Sequence, residues 1–248
     1  MNDFFNDLLD PDKAQQYIIQ GSDQWDQIRC GRFTASEIHK LMDSGKREMT
    51  TAELKARPKD GPGSGTKLIS DPAIISDKAM TYIKQKVAET LTGQLDTQDY
   101  AWPLVRGKEM EPEAVECFER ITGLECEEIG FCPYTDHAGG SPDRLVQDGN
   151  ILEVKCPAYS RNQVDYLLLN DRWDLKRMHP DYYWQIQANL LFTNRPICYF
   201  ATYDPRFKSD KLKMFIMKIA AVSEDQDLII QKIAIATREK LQLISLIA

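Results

Sequence analysis

The stretch GGSPDRLVQDGNILEVKCP, residues 139–157, decides how this chain folds. Its middle, Asp148-Gly149-Asn150, is typical of a tight turn, because glycine and asparagine accept the backbone angles that such turns require. The run that follows, Ile151 to Lys155, is apolar and β-branched over the length of a strand. We therefore predict a β-hairpin, in which the segment before the turn pairs with the segment after it.

Alternation along the second strand of this hairpin sorts its side chains by chemistry. Successive side chains of a strand point to opposite faces of the sheet. Ile151, Glu153 and Lys155 therefore share one face, and Leu152 and Val154 share the other. We expect the acid and the lysine to stand side by side on one surface of the sheet.

Asp143, on the other arm of the hairpin, completes a group with the chemistry of a metal site. Mg²⁺ prefers a few carboxylates together with water, and Asp143, Glu153 and the Val154 carbonyl would supply oxygen ligands. Water bound to such an ion becomes a nucleophile at neutral pH. Lys155 would orient that water or neutralise the charge that develops on the attacked group. Phosphodiester hydrolysis suits this set of residues.

The bulk composition is ordinary for a soluble globular protein, with 248 residues of which 42% are hydrophobic and 28% charged. No apolar run approaches the length of a membrane helix, and the N-terminus lacks the basic start of a signal peptide. Six cysteines without a C-x-x-C pair favour reduced thiols over a disulfide framework or a zinc site. We expect a cytoplasmic protein with no membrane partner.

The charge is unevenly distributed along the chain. A net charge of −7 argues mildly against nucleic acid as a partner. Residues 28–67, however, hold nine Lys or Arg against five Asp or Glu, whereas residues 89–128 hold three against eleven. The first region would meet phosphates and the second would collect metal; solvated surface in both regions is the alternative.

An anion site is predicted near the N-terminus. Ser22 is a candidate cap for a first helix, and Thr34 or Ser36 for a second that carries Ile38 and Leu41. Arg29 and Ser36 would then lie near the start of the second helix, where backbone N–H groups and a guanidinium attract anions. Surface arginines beside a capped helix are the alternative.

Further along the chain, the basic stretch 43–72 is loop-like, with one helical turn near residues 51–56. Helices are predicted from about Ala73 to Leu91 and from Val222 to the end, the latter capped by Ser223. The order of helices and strands indicates one α/β domain with a mixed central sheet.

Two further helices carry polar residues that matter for the site. One runs from about Leu104 to Ile121 and places Glu111 at the edge of its apolar stripe. A half-buried acid needs a cation, and an arginine, a lysine or a metal ion would serve. The other helix begins near Pro180 and carries Gln185 on a face with Asn189.

With these motifs together, the chain resembles the lambda exonuclease family, also called YqaJ-like viral recombinases, of the PD-(D/E)xK nuclease superfamily. The resemblance spans roughly Trp25 to Phe215. Beside Ser141-Pro142-Asp143 and Glu153-Val154-Lys155, it rests on five segments in matching order: WDQIRCGRFTASEIHKLM, LVRGKEMEPEAVECFERITG, LEVKCP, YYWQIQ and YFATYDPR.

The resemblance implies a Mg²⁺-dependent 5′-to-3′ exonuclease on double-stranded DNA, with Mn²⁺ as an alternative ion, whose 3′ overhangs feed a strand-annealing recombination. Asp143, Glu153 and the Val154 carbonyl match metal ligands, and Lys155 matches the catalytic lysine. Glu111 and Gln185 match residues that complete and support the site. A ring-shaped homotrimer around DNA and a partner single-strand annealing protein are implied as well.

The DNA contacts that the resemblance implies lie outside the hairpin. Arg29 and Ser36 match residues that hold the 5′-phosphate, Leu104 matches an apolar wedge between base pairs, and Arg161 matches a backbone contact. Where the family has a further arginine this chain has Asp43, and Lys46 or Arg47 would substitute for it.

The resemblance also sets the expected domain organisation and the competing functions. We expect a single exonuclease domain over residues 1–248, with a restriction-endonuclease-like fold and a catalytic core at about 100–220. Helices in residues 1–42 and the loop 43–72 would contribute to DNA binding, and a C-terminal helix would cover residues 222–248. A structure-specific or single-strand endonuclease of the same superfamily and a non-catalytic DNA-end-binding module are the alternatives. If the gene belongs to a phage or prophage, the protein would act in the bacterial cytoplasm.

Overall fold

The structure is a computed structural model that describes Ile18 and residues 20–56, 67–96 and 102–248, with side chains from residue 106 onward in the last range. The part of the predicted N-terminal helices that falls on residues 1–17 and 19 lies outside the described residues.

Strands of the described residues form three sheets. The strands are β1 (Phe33–Thr34), β2 (Ser44–Glu48), β3 (Leu68–Ile75), β4 (Cys126–Glu128), β5 (Cys132–Thr135), β6 (Ala138–Gly140), β7 (Arg144–Val146), β8 (Ile151–Lys155), β9 (Ile197–Tyr203) and β10 (Met214–Ala220). The central sheet has the order β10-β9-β8-β7-β4, a smaller sheet has the order β1-β6-β5, and β2 pairs with β3.

Helices of the described residues surround these sheets. They are α1 (Asp23–Arg29), α2 (His39–Met42), α3 (Thr51–Ala56), α4 (Asp77–Thr92), α5 (Trp102–Thr122), α6 (Ser160–Leu167), α7 (Arg172–Met178), α8 (Pro180–Thr193), α9 (Asp210–Lys213) and α10 (Ser223–Ile247), with a 3₁₀ turn at Ala35–Glu37. Across the described ranges, every helix is too short or too polar to cross a bilayer.

The central sheet is mixed, as predicted. β8 runs parallel to β9, whereas β10 with β9, β8 with β7 and β7 with β4 are antiparallel. A parallel pair needs a crossover between its strands. Helices α6, α7 and α8 provide it between β8 and β9.

The predicted hairpin is β7–β8, and its turn forms where the sequence indicates it. Gly149 has φ +82°, a conformation that favours glycine, and the Val146 N–H donates to the Asn150 carbonyl at 2.9 Å. The alternation along β8 is also confirmed. Leu152 and Val154 pack in one buried cluster with α5, and Ile151 packs in another with α8.

The arm before the turn is not one continuous strand. β6 belongs to the small sheet and β7 to the central sheet, and Ser141-Pro142-Asp143 connects the two. Proline lacks an N–H to donate to a strand ladder, which explains why pairing changes at this point. Asp143 therefore lies in the connection between the small sheet and the central sheet.

The second N-terminal helix is shorter than predicted, and neither Thr34 nor Ser36 caps it. The Phe33 N–H donates to the His137 carbonyl at 2.8 Å, and the Thr34 N–H donates to the Tyr82 hydroxyl at 3.0 Å. These bonds hold residues 33 and 34 as a strand beside β6, so the chain passes through the 3₁₀ turn before α2. The cap of α1 is confirmed, because Ser22 Oγ accepts from the Trp25 N–H at 3.2 Å.

The basic stretch 43–72 is more regular than a loop. β2 and β3 form an antiparallel hairpin, and the helical turn predicted at 51–56 is α3; residues 57–66 lie outside the described residues. Residues 73–75 belong to β3, so α4 begins at Asp77, with Ser76 as its cap.

The predicted cap of the C-terminal helix was wrong. Ser223 is the first helical residue of α10, and Val222 is the N-cap without a side-chain cap bond. The Val222 N–H instead donates to Gln187 Oε1 at 2.9 Å, which fixes the entry into α10 against α8.

Candidate active site

Glu153 is the centre of the candidate active site. Its side chain is 1% exposed and points from β8 toward α8. Lys155 Nζ and Gln185 Nε2 each donate to its Oε1 at 2.6 Å, and Asn189 Nδ2 donates to Oε2 at 3.2 Å. Because a buried carboxylate needs donors on both oxygens, these contacts fix its orientation.

Lys155 lies between acids and an aromatic ring. Its Nζ also donates to Gln185 Oε1 at 3.3 Å and lies 4.8 Å from the centre of the Tyr182 ring. Burial alone would lower the pKa of Lys155, but the carboxylates of Glu153 and Asp143 outweigh it and raise that pKa above its ordinary value. Lys155 is therefore a fixed cation at neutral pH.

Asp143 is anchored by the backbone of β8. Its Oδ2 accepts from the Val154 N–H at 2.6 Å, across the hairpin that the sequence predicts. Trp25 Nε1 in α1 donates to the hydroxyl of Ser141 at 2.9 Å, so the segment that carries Asp143 is also tied to the N-terminal helices.

Glu111 finds its cation in Arg144. Arg144 Nη1 lies 2.7 Å from Glu111 Oε1 and donates as well to the Asp143 carbonyl at 2.6 Å. Arg144 directly follows Asp143 in sequence. The guanidinium therefore joins α5 to the segment that bears the other carboxylate.

Burial opposes ionisation of all three acids. It raises the pKa of Asp143, although Lys155 and the Val154 N–H work against this shift. Burial and the charge of Asp143 raise the pKa of Glu111, and the same two causes raise that of Glu153 to about 7. Lys155 lowers the pKa of Glu153 in turn, by its charge and its hydrogen bond. Additional positive charge near Asp143 would stabilise the group as a whole.

The group opens into a cleft of about 460 Å³. The cleft is lined by the acids Glu111 and Asp143, by Lys155 and by aromatic and amide side chains of α6 and α8. This volume lies within the usual range for ligand sites, about 300–1,000 Å³.

The residues present fit a hard divalent ion by their chemistry. Asp143, Glu153 and the Val154 carbonyl supply oxygen ligands on and beside β8, the middle strand of the central sheet. Oxygen is the ligand type that Mg²⁺ prefers. Within the described ranges, no three His, Cys, Asp or Glu side chains already form a metal-binding group. The candidate is thus two carboxylates and a carbonyl, with Glu111 turned toward Arg144 beside them.

The predicted anion residues lie on the N-terminal side of this group. Arg29 stacks on Trp25, with its guanidinium carbon 3.7 Å from the ring centre, and Trp25 in turn reaches Ser141. Burial lowers the pKa of Arg29 despite the nearby acids Asp26 and Glu37. Ser36 lies in the 3₁₀ turn, with its hydroxyl 3.3 Å from that of Thr34. The described contacts therefore connect Arg29 to the segment of Asp143 through a single tryptophan.

The remaining predicted DNA contacts lie on other elements, β2, α5 and α6. Arg47 pairs with Glu53 and Asp71 inside the β2–β3 hairpin, at 2.8 Å in both cases, whereas Lys46 is exposed on β2. Arg161 lies in α6 with its guanidinium 4.4 Å from the centre of the Tyr159 ring. Leu104 falls in the first turn of α5, and its side chain lies outside the described residues.

Three residues of the site were missed by sequence reasoning. Asn189 binds the second oxygen of Glu153, Arg144 pairs with Glu111, and Tyr182 contacts Lys155. Asn189 lies one helical turn after Gln185, so its position on the same face was a usable signal. The other two depend on which strand and helix meet, which the local sequence does not specify.

The model of the YqaJ-like viral recombinase domain family matches residues 24–196. The chain is similar to the alkaline exonuclease LHK-Exo of Laribacter hongkongensis, with 22% identity over 90% of this chain and 95% of that chain, and a TM-score of 0.66. The complex of LHK-Exo with dAMP matches with a TM-score of 0.69 and the same identity and coverage.

A second similar structure is a phage-related exonuclease from Haemophilus somnus 129PT, with 14% identity over 88% of this chain and 96% of that chain, and a TM-score of 0.64. No curated protein matched. The likeness to these structures confirms the predicted fold class, a mixed sheet flanked by helices of the PD-(D/E)xK type.

Proposed function

Because the chain belongs to the YqaJ-like viral recombinase family, we propose that it is a divalent-metal-dependent exonuclease. It digests one strand of linear double-stranded DNA from the 5′ end and leaves 3′ single-stranded overhangs for recombination by strand annealing. The observation that carries the proposal is the group of Asp143, Glu153 and Lys155, which lies on and beside β8, the middle strand of the central sheet, next to an open cleft. The names of the similar structures, both exonucleases, support it.

Asp143, Glu153 and the Val154 carbonyl would hold Mg²⁺, with Mn²⁺ as an alternative. A divalent ion held there lowers the pKa of water and stabilises negative charge on the attacked phosphate. Lys155, a fixed cation, donates to a phosphate oxygen and offsets the charge that grows on it. Gln185 bonds both Glu153 and Lys155, so it keeps the carboxylate and the ammonium in a fixed position relative to each other.

Arg29 and Ser36 would bind the 5′-phosphate of the strand to be digested. A guanidinium recognises phosphate by two parallel hydrogen bonds, and that of Arg29 is stacked on Trp25, with its Nη1 3.9 Å from Asp26 Oδ1. In support of this, Trp25, on which Arg29 stacks, donates to the hydroxyl of Ser141, two residues before Asp143. End recognition and cleavage are thereby coupled through one short connection.

The net charge of −7 is compatible with DNA as substrate. A nuclease that ignores sequence needs contacts with phosphates rather than with base edges, so only the surface that meets DNA has to be basic. A homotrimeric ring around the duplex would supply such a channel, and Lys46 and Arg161 are candidates to line it. A single-strand annealing protein would receive the 3′ overhang.

The test is digestion of a linear duplex labelled separately at each 5′ and 3′ end, with Mg²⁺ and with a chelator. We expect release of 5′-terminal nucleotides first, a preference for phosphorylated 5′ ends and no activity with the chelator. Closed circular DNA should stay intact. Nicking of the circle would favour the endonuclease alternative, and tight binding of ends without any cleavage would favour the non-catalytic one.

A further inference from the structure

We propose that Tyr159 is a stacking platform for a nucleobase in the catalytic cleft, and that Arg206 is the positioning residue that holds it there. The inference rests on the proposed function, because it names where a base of the digested strand lies. The ligand class is a nucleotide whose phosphate is bound by the metal group and whose base lies against an aromatic ring.

The lining of the cleft divides into two kinds of side chain. Glu111, Asp143 and Lys155 form the charged part that would handle a phosphate. Tyr159, Tyr166 and Tyr182 form an aromatic part of the same cleft. A site for a mononucleotide unit needs both kinds, because one end of that unit is an anion and the other is a flat, weakly polar ring.

Of the three tyrosines, Tyr159 is the most exposed residue, and the Arg161 guanidinium lies over its ring, 4.4 Å from the ring centre. Tyr166 is 3% exposed, and the ring of Tyr182 is in contact with Lys155 and stacks with His179 at 5.8 Å. Tyr159 is 49% exposed. It is the N-cap residue of α6, but its side chain makes no cap bond and is directed into the cleft lining instead.

A single exposed tyrosine is ordinary on a protein surface, but the segment that carries this one is clamped. Arg206 Nη1 donates to the Ala158 carbonyl and Nη2 to the Pro157 carbonyl, both at 3.0 Å. Nε and Nη2 also donate to the fully buried Asp204, at 2.7 and 2.8 Å. The guanidinium thus ties the end of β9 to the two residues before Tyr159.

This clamp gives a role to a motif that the cleavage chemistry does not use. Asp204-Pro205-Arg206 is part of the segment YFATYDPR, and the hydrogen bonds described for the Arg206 side chain go to Asp204, Pro157 and Ala158. The two carbonyls that it holds, those of Pro157 and Ala158, lie two and three positions after Lys155 along the chain. The clamp therefore fixes the distance between the catalytic lysine and the Tyr159 ring, which an unsupported Cys156-Pro157-Ala158 segment would not.

Stacking suits an enzyme that accepts any sequence. Every base has a π-face, so an aromatic platform holds each of them without reading its edge. Arg161, whose guanidinium lies over the Tyr159 ring, adds a cation near the same nucleotide. The wall of the cleft would keep the 5′-terminal nucleotide in place while its phosphodiester bond lies at the metal group.

The experiment compares Tyr159→Ala with the wild type on two duplexes, one with an intact 5′-terminal nucleotide and one with an abasic 5′-terminal residue. We expect Tyr159→Ala to lower kcat/KM on the intact end by about five- to a hundred-fold, the effect of losing one base stack. On the abasic end the variant and the wild type should cleave at equal rates. Tyr159→Phe should behave as wild type on both, and Arg206→Ala should show the same dependence on the base in weaker form.

The matched control is Trp173→Ala, which removes an aromatic ring of α7 that is 53% exposed and lies outside the cleft lining. It should leave both rates unchanged. Equal slowing of intact and abasic ends by Tyr159→Ala would overturn the proposal, because it would indicate a structural role. No slowing on either end would overturn it as well.

A binding measurement separates this inference from the proposed function. Deoxyadenosine 5′-monophosphate and deoxyribose 5-phosphate are titrated into wild type and Tyr159→Ala by calorimetry with Mg²⁺ present. A preference of about five-fold or more for the nucleotide, lost in Tyr159→Ala, supports the stacking platform even if the protein digests no DNA. Equal affinity of the wild type for both probes overturns the platform even if digestion is normal.

Discussion

At the scale of single residues, the charge of Lys155 is set by its neighbours. Two carboxylates raise its pKa, and Gln185 and the Tyr182 ring restrict where its ammonium can go. A lysine held in this way acts as a donor and a cation rather than as a base at neutral pH. In the proposed mechanism this cation neutralises the charge that develops on the phosphate.

Lys155→Ala should abolish nuclease activity, by at least about a hundred-fold, while folding and DNA binding persist. The side chain is removed from the site, but the hairpin beneath it is held by backbone bonds. Activity on a labelled duplex, circular dichroism and a gel-shift assay measure the three properties. Lys211→Ala, at an exposed lysine of α9, is the control. Wild-type activity in Lys155→Ala would contradict the role that the proposed mechanism gives to Lys155.

Asn189→Ala should raise the Mg²⁺ concentration needed for half-maximal activity by about ten-fold or more. The reason is that Oε2 of the buried Glu153 loses its donor. The unfolding free energy should fall by about 1–3 kcal/mol as well, since a buried acceptor is left without a partner. Activity against metal concentration and chemical denaturation measure the two effects.

Gln187→Ala is the matched control for Asn189→Ala. Gln187 is a fully buried amide of the same helix, but it bonds Ala220 and Val222 rather than the site. It should lower stability without changing the metal requirement. An equal change of the metal requirement in both variants would show that the effect comes from the stability of α8 alone.

Arg29→Ala should weaken the preference for a phosphorylated 5′ end by about ten- to a hundred-fold, because a charge-assisted contact to phosphate contributes about 1.5–3 kcal/mol. The measurement is the ratio of digestion rates on duplexes with and without the 5′-phosphate. Arg172→Ala serves as control, since Arg172 stacks on Trp173 in a comparable pair of α7. An unchanged ratio in Arg29→Ala would reject the anchor.

At the scale of elements, the junction between β6 and β7 positions Asp143. Gly140, the last residue of β6, lies against α8, and a Cβ atom there would come within 2.4 Å of Asn189 Oδ1 and 2.8 Å of Ala35 Cβ. The close approach brings α8, the N-terminal 3₁₀ turn and the segment of Asp143 together. Glycine is required at this position because a side chain would clash with these neighbours, and not because the backbone angles favour glycine.

Gly140→Ala should therefore lower the unfolding free energy by about 1–3 kcal/mol, the usual cost of overpacking. Gly107→Ala should do the reverse and raise it by about 0.5–1 kcal/mol, because Gly107 lies within α5 and a Cβ there meets no atom within 4 Å. Urea denaturation of both variants measures the difference. The same sign for both substitutions would contradict the contacts described for β6.

The β2–β3 hairpin shows how pairing changes the role of a basic residue. Arg47 is a candidate phosphate contact by charge, but Glu53 and Asp71 bind it on the same hairpin. Lys46, its neighbour on the opposite face of β2, is exposed. Within this hairpin, Lys46 is consequently the better candidate for DNA binding.

At the scale of the whole molecule, the proposed ring makes a prediction about mass. Analytical ultracentrifugation at micromolar concentration should give three times the 28.5 kDa of one chain, with or without DNA. A ring is expected under the proposed function, because an acidic nuclease that does not recognise the DNA sequence cannot rely on contacts with bases. It would stay bound during processive digestion by enclosing the duplex. A species of single-chain mass at that concentration would reject the trimer.

The sequence by itself determined the features that depend on neighbours along the chain. The turn at 148–150, the alternation of Glu153 and Lys155 against Leu152 and Val154, and the end of α5 close to Ile121 follow from local geometry. The order of the motifs along the chain was likewise sufficient to identify the family, because a motif order can be read without knowing which elements are in contact. For these features the periods of strand and helix are sufficient.

Only the tertiary structure decided which distant groups meet. Glu111 and Arg144 are 33 positions apart, Glu153 and Asn189 are 36 apart, and Arg206 reaches back 49 positions to Pro157. Such pairings depend on the order and register of strands and on which helix covers each face. They are therefore set by the packing of the whole sheet, which no local stretch of this sequence specifies.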